Sequence, residues 1–306
     1  MTENAEHASA RDPKARRNER LALMALAGMA LVWGYNWVVM KKVLAYVDPF
    51  DFSALRTLFG ALALMLVLKV LRRPMRIRAW SRVALLGVLQ TGAFSALIQL
   101  ALLQGGAGKT SILVYTMPFW VIPLAWAVFG ERIRGAQWLA LALAAAGLLL
   151  ILEPWNDHAG IVSEVLAVAS GLCWALATLV AKWIKRDYPM DALPLTAWQM
   201  LFGALALCIA AWVVPERPIE FVPYFYVALA YNAILATALA WFLWLFALQH
   251  LSAGMAGLSS LGVPVVGVLS GWLELGETPG GLELAGMILI GVALAVISLG
   301  SVGGRK

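Results

Sequence analysis

Charge is the scarcest ingredient of this sequence. Asp, Glu, Lys and Arg make up 13% of its 306 residues, whereas a water-soluble domain carries about a quarter. A chain so poor in charge cannot clothe a water-facing surface. Cysteine is nearly absent too. Cys173 and Cys208 stand apart in apolar surroundings, which excludes a disulfide framework and a cysteine metal site. The three histidines, His7, His158 and His250, have no metal-ligand spacing. Long polar segments that would form an extramembrane domain are also missing.

What fills the sequence is apolar: 62% of residues are hydrophobic and mean hydropathy is +0.82. Runs of about 20 apolar residues, long enough to cross a bilayer, recur from Leu21 onward. They predict an all-α integral membrane protein, because a spanning helix satisfies its own backbone. Ten spans are expected, near 21–40, 52–70, 81–103, 110–129, 136–152, 160–182, 192–214, 222–248, 255–275 and 280–300. Residues 1–20 form a polar, basic tail. No A-x-A cleavage site follows it, so the first span is expected to be retained.

The net charge of +6 raises the question of nucleic acid, and its distribution answers it. When sides alternate, 18 of the 23 Lys and Arg fall on the side of the tail and four on the other, with Arg56 inside a span. The positive-inside rule then places both termini in the cytoplasm. The basic residues set topology, and no nucleic-acid partner is expected.

The heptapeptide LFGALAL occurs at Leu58–Leu64 and again at Leu201–Leu207. Upstream of each copy, a Lys follows a Trp by eight residues, in Trp33–Lys41 and Trp174–Lys182. Downstream, Gly108, Pro118, Gly130 and Glu131 pair with Gly254, Pro264, Gly276 and Glu277 at one offset of 146 residues. Chance does not keep Trp, Lys, Pro and Glu in step, so the chain is read as an internal duplication of 21–152 and 160–300. Five spans per half is an odd number. The second half therefore starts on the opposite face, and the halves are expected as inverted repeats with a substrate site near the midplane between them.

The WG…K first span, ALRTLFGALAL in the second and the paired P…GE at the ends of spans 4 and 9 resemble the EamA-type drug/metabolite transporters. The resemblance covers about residues 20 to 300. Length and Trp content are most similar to the bacterial amino-acid exporters of the YddG type within that family. It implies an exporter of aromatic and other neutral amino acids in the bacterial inner membrane, working by alternating access. Ala175 and Ala177 stand where the first span has Gly and Asn after its Trp, so the halves are not expected to contribute equally.

Candidate site residues follow from polarity at depth. Arg56 reads either as an anchor for a carboxylate or phosphate, or as a snorkelling Arg. Thr91 and Thr237 are repeat partners near the middle of spans 3 and 8, with Gln90, Ser95 and Gln99 nearby. They face either a neighbouring helix or a wet cavity. Trp33, Trp120, Trp174 and Trp241 lie deep, and with Tyr115 they suit an aromatic cavity or ordinary packing. Trp80, Trp138, Trp155, Trp183, Trp212 and Trp272 suit the interfacial belt. Pro118 and Pro264, with Gly108 and Gly254, are candidate hinges through loss of a mid-span backbone bond. ETPG from Glu277 reads as a helix start. Lys41 and Lys182 suit snorkelling at span ends.

No Asp or Glu lies near the middle of a span, Glu164 being closest. That argues against a cationic-drug/proton antiporter, which needs such a carboxylate. An antiporter of phosphorylated metabolites or nucleotide sugars would need more buried cations than Arg56. A membrane-embedded lipid-modifying enzyme would need clustered His, Asp or Ser that the short loops do not supply. The expected partners are a small-molecule substrate and membrane lipid. The chain is expected to be a monomer and not an enzyme, with no cofactor and no metal.

Overall fold

The computed structural model describes residues 13–133, 135–153, 155, 160–214, 217–250 and 261–303. Gly254, His158 and the start of the expected ninth span lie outside the described residues. The described chain is helical, with no strand among the described residues. Thirteen α-helices follow in order: α1 Pro13–Val43, α2 Pro49–Val70, α3 Trp80–Gly87, α4 Phe94–Gln104, α5 Ala107–Val114, α6 Met117–Phe129, α7 Gly135–Leu152, α8 Ile161–Asp187, α9 Ala192–Val213, α10 Pro223–Ala230, α11 Ala240–His250, α12 Gly262–Leu275 and α13 Gly281–Gly303. A π-helical segment, Val88–Ala93, joins α3 to α4, and a second, Tyr231–Leu239, joins α10 to α11.

Among the described residues, seven stretches are long and apolar enough to cross a membrane: Arg20–Val43, Pro49–Val70, Trp80–Gln104, Ala107–Phe129, Gly135–Leu152, Ile161–Asp187 and Ala192–Val213. Pro223–Leu239, Gly262–Leu275 and Gly281–Ile297 are apolar but shorter. α8 runs past the expected end at 182 to Asp187, because Lys185 and Arg186 in its last turn favour the negative end of the helix dipole.

Local chemistry sets the breaks. α2 and α10 open on Pro49 and Pro223, whose missing N–H is no loss in a first turn. α6 and α12 both end on a left-handed glycine, Gly130 (φ 67°) and Gly276 (φ 69°). Behind each, the next N–H reaches back over the helix end to a carbonyl six residues earlier, Glu131 to the Ala125 carbonyl at 3.4 Å and Glu277 to the Gly271 carbonyl at 3.2 Å. The expected hinge role of Pro118 changes accordingly. The helix stops at Tyr115 and Thr116, Thr116 Oγ1 donates to the Leu113 carbonyl at 2.6 Å, and Pro118 stands second in α6. No mid-helix bond is lost there. Pro264 likewise lies in the first turn of α12. The proline inside a helix is Pro123. ETPG is not a helix start, since α13 begins at Gly281 beyond it.

The helices pack in matched partnerships. α2 lies on α9 and α7 lies on α13. α1 packs on α12 and α11, while α8 packs on α6 and α4. The first π segment rests on α9 and the second on α2. The heptapeptides lie in the α2–α9 seam, with Ala61 and Ala204 fully buried and Leu64 and Leu207 each 2% exposed. Ion pairs gather at the two ends. Lys42–Glu274, Arg217–Asp48 and Lys109 with Glu164 and Glu283 stand at one end, and Lys182–Glu131 and Arg82–Asp187 at the other. Trp80, Trp138, Trp155, Trp212 and Trp272 are exposed on the outside, as a belt would be.

Candidate functional site: a central cavity between α1, α2, α8 and α9

Seven of the deep polar and aromatic candidates come together. Trp33 and Arg56, Thr91 and Tyr115, Trp174, Thr237 and Trp241 all line one cavity of about 180 Å³. Trp120 does not line it, and its indole N–H turns to Thr116 Oγ1 at 3.3 Å. Gln90 and Ser95 reach the cavity, but Gln99 does not.

The walls are aromatic. Trp174 packs on Phe94 with ring centroids 4.7 Å apart, and Trp33 meets Trp241 edge-on at 6.0 Å. The Trp33 indole N–H is held at 2.7 Å by the Ala236 carbonyl within the second π segment. That bond fixes the ring and uses a carbonyl of a helix whose hydrogen-bond pattern has slipped by one residue. Such π segments are frequent at functional sites. Here they carry Thr91 and Thr237 to the cavity wall.

The polar lining is largely neutral. Asn36, Thr57, Thr91, Ser95, Gln199 and Thr237 are each no more than 7% exposed. Arg56 is the one charged side chain among the described lining residues. No acid pairs with it among the described residues, and its Nε is buried without a partner. Asn36 Oδ1 and Gln199 Oε1 are also buried and unpartnered. A buried polar group left unpaired costs about 1–3 kcal/mol, so a cavity with three of them is suited to a polar ligand. Arg56 is therefore not a snorkelling residue tied to loop carbonyls.

Sequence reasoning missed Asn36, Thr57, Gln199 and Met200, and the signal for two of them was in the repeat. Gln199 stands two residues before the second LFGALAL as Arg56 stands two before the first, and Met200 matches Thr57 in the same way. Much of the lining is paired: Trp33 with Trp174, Arg56 with Gln199, Thr57 with Met200, Gln90 with Ala236, Thr91 with Thr237, Ser95 with Trp241 and Met117 with Val263.

Outside the cavity, the matched lysines act differently. Lys41 donates to the Leu102 carbonyl at 2.5 Å and the Leu103 carbonyl at 3.3 Å, at the C-terminus of α4. Lys182 pairs with Glu131. Glu277 accepts from the N–H groups of Ala107 at 2.8 Å and Gly108 at 3.0 Å, capping α5. Gly108 is thus held at a helix start, where an added Cβ would stand 3.1 Å from Val268 Cα. Glu164 is buried against Lys109 at 3.0 Å, away from the cavity. No group of three or more metal-ligating side chains occurs among the described residues.

Comparison with known proteins places this architecture. The model of the EamA-like transporter family matches residues 20–153 and again 161–299. The chain is 28% identical over 293 residues to a protein of Salmonella typhimurium named "Probable amino-acid metabolite efflux pump", covering 92% of this chain and 94% of that one. It is 27% identical over 261 residues to the "Uncharacterized transporter YoaV" of Bacillus subtilis, covering 83% of this chain and 89% of that one. A crystal structure superposes with a TM-score of 0.63 at 17% identity, covering 96% of this chain and 99% of the other, and shares the fold. With the family model matched on both sides of residues 154–160, this multi-pass membrane protein belongs to the EamA-like transporter family.

Proposed function

We propose that this transporter exports small neutral amphipathic metabolites, aromatic and other neutral amino acids first, across the bacterial inner membrane. In this reading the chain crosses ten times, as two inverted five-helix repeats with cytoplasmic termini. The cavity opens to each side in turn as the halves exchange conformations. The observation that carries the reading is a cavity with aromatic walls drawn from both halves and one unpaired cation, Arg56. Aromatic walls take apolar and aromatic side chains, and a guanidinium takes a carboxylate in two parallel bonds. Matched helix partnerships and matched lining residues support the inverted duplication.

One guanidinium offers little to a phosphate ester or a nucleotide sugar, whose multiple charges call for a cluster of cations. No His, Asp, Glu or Cys lines the cavity among the described residues, so nothing there would serve as a general base for a transferase. The name of the Salmonella relative, an amino-acid metabolite efflux pump, points the same way.

Counterflow tests the proposal. Proteoliposomes loaded with unlabelled Phe, Leu, Thr, glucose 6-phosphate or a nucleotide sugar are placed in labelled Phe. Neutral amino acids should drive label uptake and the phosphorylated solutes should not. Counterflow with the phosphorylated solutes alone would overturn the reading.

A further inference from the structure

The segment between α2 and α3, 71–79, carries Arg72, Arg73, Arg76 and Arg78, and all four are exposed. No Asp or Glu occurs between Asp51 and Glu131 in the sequence, so the segment carries no acid of its own. Arg82, one turn into α3, differs: it pairs with Asp187 and lies over the Tyr188 ring at 5.3 Å. None of the other four arginines has an ion pair among the described residues.

The segment is held in place. Ile77 is 4% exposed and packs in a cluster with Val83, Leu86 and Ile184. Trp198 of α9 donates its indole N–H to the Met75 carbonyl at 2.8 Å. The backbone is left-handed at Arg72 (φ 50°) and Ala79 (φ 53°). Arg72 thus occupies the position just past a helix end that glycine ordinarily takes. An arginine there strains the backbone, and such strain gathers at functional sites. Its flanks are greasy: Val70, Leu71, Met75 and Trp80 are all exposed beside the arginines.

We propose that this bracket is a binding site for the headgroup phosphate of an anionic phospholipid. The arginines take the phosphodiester as forks, and the exposed apolar residues take the start of the acyl chains. The site lies between α2 and α3 at one end of the bundle, and none of its arginines lines the central cavity. Basic clusters beside a membrane helix attract anionic lipid. The pinned backbone and the choice of arginine add a fixed geometry to that attraction. Because the bracket is bonded to α9 through Trp198, a bound headgroup braces the first half of the chain against the second.

The experiment uses the full-length protein in neutral detergent at physiological salt. Thermal stability is titrated with cardiolipin, with phosphatidylcholine, and with inorganic phosphate. Four proteins are compared: wild type, Arg72→Lys/Arg73→Lys/Arg76→Lys/Arg78→Lys, the corresponding four-Gln variant, and the control Arg132→Gln/Lys185→Gln. Cardiolipin should raise the melting temperature of wild type and control saturably, and phosphatidylcholine and phosphate should not. The four-Gln variant should bind roughly a thousandfold more weakly. The four-Lys variant keeps charge and topology but loses the fork, and should fall in between. If the four-Lys variant matches wild type, or the control loses as much as the four-Gln variant, the basic residues set topology alone and the site is overturned. Equal stabilisation by inorganic phosphate would overturn the lipid as its ligand.

Discussion

Gly60 of α2 lies directly against Thr237 of the second π segment, and a Cβ on Gly60 would stand 2.5 Å from Thr237 Cγ2. The relation repeats with the halves exchanged, for a Cβ on Gly203 would strike Thr91 Cβ and come within 2.6 Å of the Gly87 carbonyl oxygen. Gly60 and Gly203 are the third residues of the two LFGALAL copies. The heptapeptide recurs because each copy supplies the notch into which the other half's cavity threonine seats. Small residues that let helices approach closely are a standard device of membrane packing.

The two notches should respond differently to repair. Gly60→Ala and Gly203→Ala should each destabilise the folded protein by about 1–3 kcal/mol, as overpacking does. Adding Thr237→Ala to Gly60→Ala removes the struck Cγ2 and should restore much of the loss. Adding Thr91→Ala to Gly203→Ala should restore little, because the struck atoms are Thr91 Cβ and a backbone oxygen. Melting temperatures of the four variants in detergent decide it, and equal rescue at both sites would refute the geometry.

Arg56 and Gln199 occupy matched positions in the two repeats and line one cavity. Arg56→Gln should weaken Phe binding by about 1.5–3 kcal/mol, the range for hydrogen bonds to a charged group. Phenylethylamine, which has no carboxylate, should be affected little. The exchange Arg56→Gln/Gln199→Arg moves the anchor to its pseudo-symmetric position and should recover part of the affinity for Phe. Tryptophan-fluorescence titration measures both ligands. Equal losses for Phe and phenylethylamine would assign Arg56 to folding instead.

Trp174 packs tilted against Phe94 at the cavity wall. A ring against it contributes about 0.5–1.5 kcal/mol beyond area burial. Trp174→Ala should therefore lower the ratio of aromatic to small-substrate transport, Phe over Thr, several-fold per unit of folded protein. An unchanged ratio would leave Trp174 a packing residue.

Cysteines at Pro218 and Arg76 lie at opposite ends of the bundle, both exposed. With cytoplasmic termini, a membrane-impermeant maleimide added to intact cells should label Pro218→Cys and not Arg76→Cys. The reverse pattern would invert the topology.

Glu164 is the most deeply buried carboxylate among the described residues, and it is spent on Lys109 at one end of the bundle. No carboxylate lines the cavity among the described residues. Substrate flux into proteoliposomes should therefore proceed without an imposed pH gradient and persist with a protonophore. Strict dependence on the gradient would show a proton carrier elsewhere.

The sequence by itself determined the class of fold and the repeat. Apolar runs of spanning length leave the backbone no choice but helix, and Trp, Lys, Gly and Glu recurring in step need no coordinates to be seen. It also marked the polar and aromatic residues that are out of place in lipid. Spacing along a chain, however, does not say which face of a helix meets which neighbour. Only the tertiary structure separated Trp174, on the cavity, from Trp120, turned back to Thr116. It alone left Arg56 without an acid while giving Glu277 to the α5 backbone and Lys41 to the α4 carbonyls. Pro118 and Gly108 looked like hinges because a proline or glycine within an apolar run suggests one broken helix. Packing placed them at the starts of two helices, where neither costs a bond. The π segments were illegible for a related reason. A slip from four-residue to five-residue hydrogen bonding leaves no residue signature and is stabilised by partners on other helices, as the Ala236 carbonyl is by Trp33.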